Sequence, residues 1–473
     1  MRKTKIICTC GPACDDEEIL KKMMQNGMSC ARLNFSHGTL DEQRVRMDRI
    51  KKVRDEIGLP LPIMLDTKGP EIRVRTFKDG YAELVEGQTF TFVSSDDVVG
   101  DNHKVGLSYH DLTKYVNKKG TIILADDGNI TFELDHIEGK DLVCIVKNKG
   151  ILKNRKSLNI PGVIIDMPFV SEADRKDIIF GIQECVDFIS ASFTRRKEDI
   201  YEIRKLLDQY DTSGKIRIIA KIENTEGIDK MDEIIEAADG IMVARGDMGV
   251  EVPFKMLPKI QKEMIDKCYK AGKIVVTATQ MLDSMQQNPR PTRAEVSDVA
   301  NAIYDGTTAI MLSGESAAGK YPVESVQAMN AISEFAESDI DYKKVFFDTD
   351  LSLGDDFLSA ICNSAVQAAF NVNAKAIICV TNHGQTAFKL SAYRPNCPII
   401  AITVNAKACR QLNLAWNVYP VYAEHKNSTD ELFLYAIEKA LETGIVKKGD
   451  RVIITGASGI GDCITDTIKL HII

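Results

Sequence analysis

Eight short apolar runs, each closing in a polar cluster, constrain this chain more than any other feature. They are KIICTC, MSCARLNF, PIMLDT, DFISASF, IIAKIE, GIMVARGD, KIVVTATQ and TAIMLSGE, and they fall within residues 1–69 and 168–342. Short β-branched runs alternating with amphipathic helical segments predict parallel strands buried on both faces. Eight of them predict a closed (β/α)8 TIM barrel; rhythm alone leaves a doubly wound sheet as the alternative.

Residues 70–167 break that rhythm. ELVEGQTFTFV, GTIILADDGNITFEL and KDLVCIVKNKG alternate apolar and polar residues and carry a turn signal at Asp127-Gly128. This predicts antiparallel β, folded as a small β-barrel lid domain inserted on the catalytic-face side of the barrel. From residue 343 the pattern resets. AKAIICVT, CPIIAIT, NVYPVYA and DRVIITGA are separated by helical segments such as STDELFLYAIEKALETG. They predict a C-terminal doubly wound α/β domain over 343–473, with 343–356 as the connection.

The bulk numbers narrow the function classes. A chain of 473 residues is too long for one core and predicts two to four domains. A net charge of −8 with no long Lys/Arg block excludes a general nucleic-acid binder, while leaving room for local phosphate sites. No apolar run approaches the roughly 18 residues of a membrane span, and the basic start MRKTKIICTCGPAC lacks the apolar stretch of a signal peptide. A cytoplasmic protein with no membrane partner is expected. The twelve cysteines then read as free thiols. Cys8, Cys10 and Cys14 have neither CxxC spacing nor a second Cys/His pair, so they read as strand and loop residues rather than a zinc site.

Two phosphate-loop matches fail on inspection. Gly314–Tyr321, GESAAGKY, has Tyr321 where a Walker A loop needs Ser or Thr, and Pro322 follows where its helix should run. Gly456–Gly461, GASGIG, has its glycines in the wrong order for a dinucleotide fingerprint, leaving only a weak anion-loop signal.

In a barrel the carboxyl ends of the strands carry the site. Those ends hold Arg32, Asn34, Ser36 and His37; Asp66, Thr67 and Lys68, with Glu71 and Arg73 beyond; Ser192 and Arg195; Lys221 and Glu223; Arg245, Gly246 and Asp247; Thr277 and Thr279; Ser313 and Glu315. Lys221 and Glu223 share one strand face with Ile219. By themselves they could be a structural ion pair. Taken together, Arg and Lys for phosphoryl oxygens, Glu223 and Asp247 on adjacent strands, hydroxyls and no histidine cluster favour Mg2+ over Zn2+. Residue chemistry alone ends at Mg2+-dependent work on a phosphorylated or enolizable acid.

TKIICTCGPA, ARLNFSHG, LDTKGPEIR, KIENTEG, MVARGDMGVE, TATQMLDSM and PTRAEVSDVANAIYDGTTAIMLSGESAAGKYP, in this order, resemble the pyruvate kinase family over nearly the whole chain. The resemblance implies phosphoryl transfer from phosphoenolpyruvate to ADP, giving pyruvate and ATP in the last step of glycolysis. It implies that Arg32 holds the substrate phosphate and Lys221 neutralises the transferring group and the enolate. Glu223 and Asp247 would bind Mg2+ (or Mn2+). Backbone amides around Ala244, Arg245, Gly246 and Asp247 would take the substrate carboxylate. Thr279 would contact that carboxylate near the proton path, with Ser313 as a relay. Asn34, Ser36, Asp66 and Thr67 match a K+ site, and Glu71 marks K+ dependence, because members that dispense with K+ carry lysine there. Asn34, His37, Arg73 and Lys156 match nucleotide contacts.

Some features depart from the family pattern. Ala173 stands where a lysine near the nucleotide is usual, and Ser157 replaces a usual glycine. In the C-terminal domain Thr381, Asn382, His383, Gly384, Gln385 and Thr386 resemble the phosphate loop of an allosteric sugar-phosphate site. The loop TGASGIGDCITDT lacks the Trp and Arg that grip fructose 1,6-bisphosphate in some relatives, so the identity of a phosphorylated effector stays open. A homotetramer is implied by resemblance only, and the extra C-terminal domain of some bacterial members is not expected after KLHII. The rival enzyme is a Mg2+-enolate barrel such as a pyruvate or oxaloacetate aldolase, which needs neither the K+ set nor Lys221 beside the metal. A catalytically dead sensor would have lost Lys221, Glu223, Asp247 or Thr279, and all four are present.

Overall fold

The computed structural model describes residues 1–211, 215–349, 351, 353–426, 428–459 and 464–473. All eight apolar runs become strands: Lys5–Thr9, Met28–Asn34, Ile63–Asp66, Phe188–Ala191, Arg217–Ile222, Gly240–Ala244, Ile274–Ala278 and Ala309–Leu312. They pair in parallel in chain order, and the first closes on the eighth through Lys5–Ala309 to Cys8–Leu312. The barrel replaces the doubly wound alternative.

Strand periodicity divides the barrel's core into two layers. Ile7, Cys30, Met64, Phe188, Ile219, Met242 and Met311 pack together inside the barrel. Their neighbours Ile6, Cys8, Ala31, Leu65, Ile218, Ala220 and Ile222 pack outward with the surrounding helices. Ile219 faces in and Ile222 out, so Lys221 and Glu223 point into the barrel mouth. Helices start where side-chain caps stand ready. Thr39 and Thr292, for example, each form a reciprocal capping box, with Glu42 and Glu295.

Between the third and fourth barrel strands, a six-stranded and a two-stranded sheet enclose a separate core. Phe90, Phe92 and Phe132 lie at its centre, with ring centroids 4.9–5.5 Å apart. The pairing is antiparallel as expected, except that Thr89–Val93 runs parallel to Lys104–Gly106. The Asp127-Gly128 turn forms, with Asp126, Asp127 and Gly128 all at positive φ. Asn159 donates to Glu251 (3.1 Å), tying this insertion to the helix Arg245–Glu251 beyond the sixth barrel strand.

The C-terminal sheet has four parallel strands, Val418–Tyr422, Ile399–Thr403, Ala376–Val380 and Arg451–Gly456. Thr467–Ile472 adds an antiparallel edge strand that the sequence reading did not identify. Half-exposed and short, it carries no buried run to betray it. Residues 460–463 of the glycine-rich turn lie outside the described residues. This domain caps the amino-terminal end of the barrel, where Leu414 joins the barrel-interior cluster. Lys5 donates to the Val418 carbonyl (2.7 Å), and Arg410 pairs with Asp187 (2.9 Å).

Candidate active site

The open end of the barrel gathers a buried charge network. Arg32, on the second strand, donates through Nη1 to Thr9 Oγ1 (2.8 Å) and through Nε to Asp66 Oδ2 (3.1 Å). Its Nη2 also pairs with Asp66. Lys221 Nζ donates to Ser192 Oγ (2.8 Å) and lies 2.9 Å from Glu223 Oε1 and 3.5 Å from Asp66. Ser192 in turn donates to the Thr67 carbonyl (2.7 Å). Strands two to five thus share one hydrogen-bonded cluster.

The electrostatics follow from who shares whom. Burial works against the Lys221 ammonium, but Asp66 and then Glu223 outweigh it and hold its pKa above the ordinary lysine value. Burial also opposes ionisation of Asp66, yet Arg32 and Lys221 bring its carboxyl below the usual range. Glu223 is less well served. It is buried, it shares its cation with Asp66, and Asp247 repels it, so its carboxyl is pushed up to about 8. Glu223 Oε2 accepts the Phe193 amide (2.6 Å), while Oε1 has no aligned hydrogen-bond donor.

Asp247 also raises Glu71 and Glu251, in each case adding to burial. This carboxylate-rich spot, where Asp247 and the buried Glu223 repel each other, fits a divalent cation. Among the described residues no three carboxylate, Cys or His side chains converge as a complete ligand set. Two carboxylates with remaining positions left to substrate oxygens and water are what Mg2+ accepts.

The sixth and seventh strands meet through Thr279. Its φ of 66° is a costly backbone state for a β-branched residue. Thr279 Oγ1 accepts the Gly246 amide (2.8 Å), so that amide is already engaged. The Arg245 side chain turns under the loop rather than into the mouth. Its Nη2 donates to the Thr279 carbonyl (2.6 Å), and its Nη1 lies 2.7 Å from both oxygens of Asp298. Ala244 caps the helix Arg245–Glu251 and Asp247 lies in its first turn. Just past the eighth strand, Ser313 Oγ is buried and neither accepts nor donates a hydrogen bond.

The remaining expected residues fall around this centre. Asn34 pairs in register with Asp66, and its side-chain oxygen accepts the Ser36 amide (3.0 Å). Asp66 Oδ1 is buried without a hydrogen-bond donor, and Thr67 Oγ1 accepts the Ser192 amide (3.1 Å). An oxygen-only set with one carboxylate oxygen that accepts no hydrogen bond suits a monovalent cation. His37 is exposed on the loop beyond. Glu71 and Arg73 form an ion pair (2.6 Å), and Lys156 pairs with Asp126 (2.6 Å). A bridge between Arg73 and Ser157 brings the two hinges of the insertion side by side. Ala173 is exposed in the first turn of the helix Glu172–Gln183.

In the C-terminal domain, Thr381, Asn382, His383, Gln385 and Thr386 line a cavity of about 950 Å³. Gly384, at φ 81°, donates its amide to Thr381 Oγ1 (3.1 Å) and leads into the helix Gln385–Ala392. The rejected Walker-like stretch is a four-residue helix, Gly314–Ala317, followed by a new helix from Pro322. Sequence reading missed Thr9 and Asp298. Thr9 was within reach of the period-two argument, since it shares a face with inward Ile7. Asp298 sits on a helix face with no strand-end signal.

Comparisons with known proteins agree with this architecture. The family model described as "Pyruvate kinase, barrel domain" matches residues 1–326, and that described as "Pyruvate kinase, alpha/beta domain" matches residues 359–471. Relatives named pyruvate kinase from Staphylococcus haemolyticus (48% identical), Staphylococcus saprophyticus (49%) and Bacillus licheniformis (47%) align over 100% of this chain and 81% of their own length. Fold and comparisons together define a phosphotransferase enzyme built on a TIM barrel. The chain belongs to the pyruvate kinase family.

Proposed function

We propose that this enzyme transfers the phosphoryl group of phosphoenolpyruvate to ADP, giving pyruvate and ATP, as the last step of glycolysis in the cytoplasm. The observation that carries the reading is the Lys221 ammonium, buried at the barrel mouth between Asp66 and Glu223 and held charged by them. Arg32, oriented by Thr9 and Asp66, binds the substrate phosphate. Lys221 offsets the charge on the transferring group and on the enolate left behind. Thr279 orients the substrate carboxylate with the backbone at Ala244–Asp247, and Ser313, whose hydroxyl is unengaged, relays the proton to the enolate carbon.

Glu223 and Asp247 would hold Mg2+ or Mn2+; Asn34, Ser36, Asp66 and Thr67 would hold K+. When bound, the ions supply charge compensation for phosphoryl oxygens and carboxylate. Arg73 and Lys156, with Asn34 and His37, contact the nucleotide from the hinge side. The cavity at Thr381–Thr386 takes a phosphorylated effector, and the chain assembles as a homotetramer; both of these rest on resemblance.

The test is pyruvate formation from phosphoenolpyruvate and ADP, with and without Mg2+ and K+, repeated with Lys221→Ala. Full turnover without Lys221, or none with the intact chain, refutes the reading.

A further inference from the structure

Lys68 and Ser192 both stand at strand ends, and the proposed chemistry gives neither a role. Lys68 turns away from the barrel mouth. Its ammonium pairs with Asp177 (2.8 Å) on the helix Glu172–Gln183, which follows the insertion. Its backbone amide meets the same helix and donates to Asp174 Oδ1 (2.9 Å), as does the Gly69 amide (3.4 Å). The Asp174 carboxylate is buried and held at its other oxygen, where Oδ2 accepts the Ser171 hydroxyl (2.7 Å). Ser171 in turn caps the helix by accepting the Asp174 amide (3.0 Å).

The peptide that donates to Asp174 is also the one whose carbonyl faces the site. In a trans peptide the Thr67 carbonyl and the Lys68 amide point in opposite directions. Asp174 holds the amide from the helix side, while the Thr67 carbonyl accepts the Ser192 hydroxyl (2.7 Å). Ser192 Oγ then accepts Lys221 Nζ (2.8 Å). Carboxylate, peptide, hydroxyl and ammonium thus form one line of hydrogen bonds with every donor matched to an acceptor. A carboxylate on the amide polarises the peptide and makes its carbonyl the stronger acceptor. Gly69 keeps the loop in place: at φ 73°, a Cβ there would lie 2.7 Å from the Ser192 carbonyl oxygen. Of the three partners of the Lys221 ammonium, Asp66 and Glu223 supply charge, and Ser192 is the neutral one.

We propose that Asp174 is a positioning residue for Lys221, holding the Thr67–Lys68 peptide so that Ser192 fixes the ammonium that meets the transferring phosphoryl group. The part played by Lys221 rests on the function proposed above; the relay from Asp174 to Lys221 does not. Asp174 also fastens both ends of the insertion, through Lys68 and Gly69 on entry and Ser171 on exit. A role confined to that anchoring would not depend on Ser192.

Asp174→Asn keeps an oxygen for the two amides and offers its NH2 to Ser171 Oγ, so shape survives while charge is lost. With phosphoenolpyruvate, ADP, Mg2+ and K+, kcat of the full chain should fall roughly fivefold, and KM for phosphoenolpyruvate should stay within about twofold. In a Ser192→Ala background the relay is already cut, and the same substitution should change kcat by less than about twofold. Asp177→Asn releases the Lys68 side chain but not its amide, and should leave kcat unchanged. Thermal melts confirm that each variant folds. If Asp174→Asn does not, Ser171→Gly frees the same carboxylate and takes its place, since glycine is tolerated at a helix cap. Unchanged kcat, a loss confined to KM, an equal loss with and without Ser192, or the same loss in Asp177→Asn overturns the relay. Lys221 is also labelled with acetic anhydride and followed by mass spectrometry. Its labelling should be about threefold faster in Asp174→Asn, because a weakened acceptor on the ammonium favours the free amine. An unchanged rate overturns the relay. No turnover by the unaltered chain overturns the functional reading instead, and the labelling then decides the relay by itself.

Discussion

Lys221 Nζ lies 2.9 Å from Glu223 Oε1, and the two side chains leave the same face of one strand. The pair is lopsided. Lys221 also has Asp66 and Ser192, whereas Glu223 shares that single cation and is repelled by Asp247. An ion pair that existed only for stability would satisfy both partners. Here the carboxylate has capacity for a further cation, and the ammonium is held charged at the mouth of the barrel.

Lys221→Ala should slow pyruvate formation by roughly a thousandfold, equivalent to about 4 kcal/mol of transition-state stabilisation. It should also lower thermal stability, because Asp66 and Glu223 would be left buried with one cation fewer. Steady-state kinetics together with a thermal melt check both effects. A large rate loss at unchanged KM would place the interaction in the transition state.

Thr279→Gly separates backbone strain from chemistry. Removing the side chain from a residue at φ 66° relieves on the order of 1 kcal/mol of strain, so the melting temperature should hold or rise. Turnover should nevertheless fall by about a hundredfold, because Oγ1 no longer meets the Gly246 amide or the substrate. A variant that is stable and fully active would remove Thr279 from the site.

Asp298→Asn tests the support beneath Thr279. The Asp298 carboxylate neutralises Arg245, which holds the Thr279 carbonyl. Supporting contacts of this kind are worth about 10–100-fold in activity, so kcat should drop within that range while the fold persists. An unchanged kcat would show that the Arg245 contacts to the carbonyls suffice alone.

Glu71→Lys should relieve a requirement for K+. Activity of the unaltered enzyme in a buffer of tetramethylammonium should be low and restored by KCl. In the variant the ammonium stands in for the ion, and KCl should have little further effect. Full activity of the unaltered chain without K+ or Na+ would eliminate the proposed monovalent site.

Lys5 gives the stability a pH dependence of known sign. Burial first, then the charge of Arg2, brings its ammonium down to about 7. The unfolded chain keeps that proton up to the ordinary lysine range, while the folded chain releases it above about 7. The stability cost is therefore complete below about pH 7 and disappears as the pH rises towards about 10. Lys5→Met should raise stability most at pH 6 and progressively less towards pH 9, read from melts across that range. An equal effect at both ends would assign the cost to packing instead.

Much of this is legible in the amino-acid sequence. A strand buried on both faces advertises itself by an unbroken apolar run, and polar residues at its carboxyl end then stand out. That is why Arg32, Asp66, Lys221, Glu223, Asp247, Thr279 and Ser313 could be read from strand ends alone. Thr9 escaped because a hydroxyl at the end of an apolar run resembles ordinary strand composition. The edge strand Thr467–Ile472 escaped because one half-exposed strand buries too little to leave a pattern. The parallel pair Thr89–Val93 and Lys104–Gly106 was hidden because alternation reports which face is buried, not which way a neighbour runs.

What the amino-acid sequence determined by itself was eight parallel strand–helix units, the inserted antiparallel β segment, the C-terminal α/β segment and the side chains offered at each strand end; closure of the eight strands into a barrel came from the tertiary structure. These are local properties, carried by alternation, helical periodicity and turn chemistry. Which charges meet was decided only by the tertiary structure. Asp66 and Lys221 stand on strands that are not neighbours, with the strand of Ser190 and Ala191 between them. Closing the sheet turns their inward faces toward one axis, so side chains meet across the mouth that the chain order keeps far apart. That convergence gives Lys221 two carboxylates and sets Asp247 against the buried Glu223.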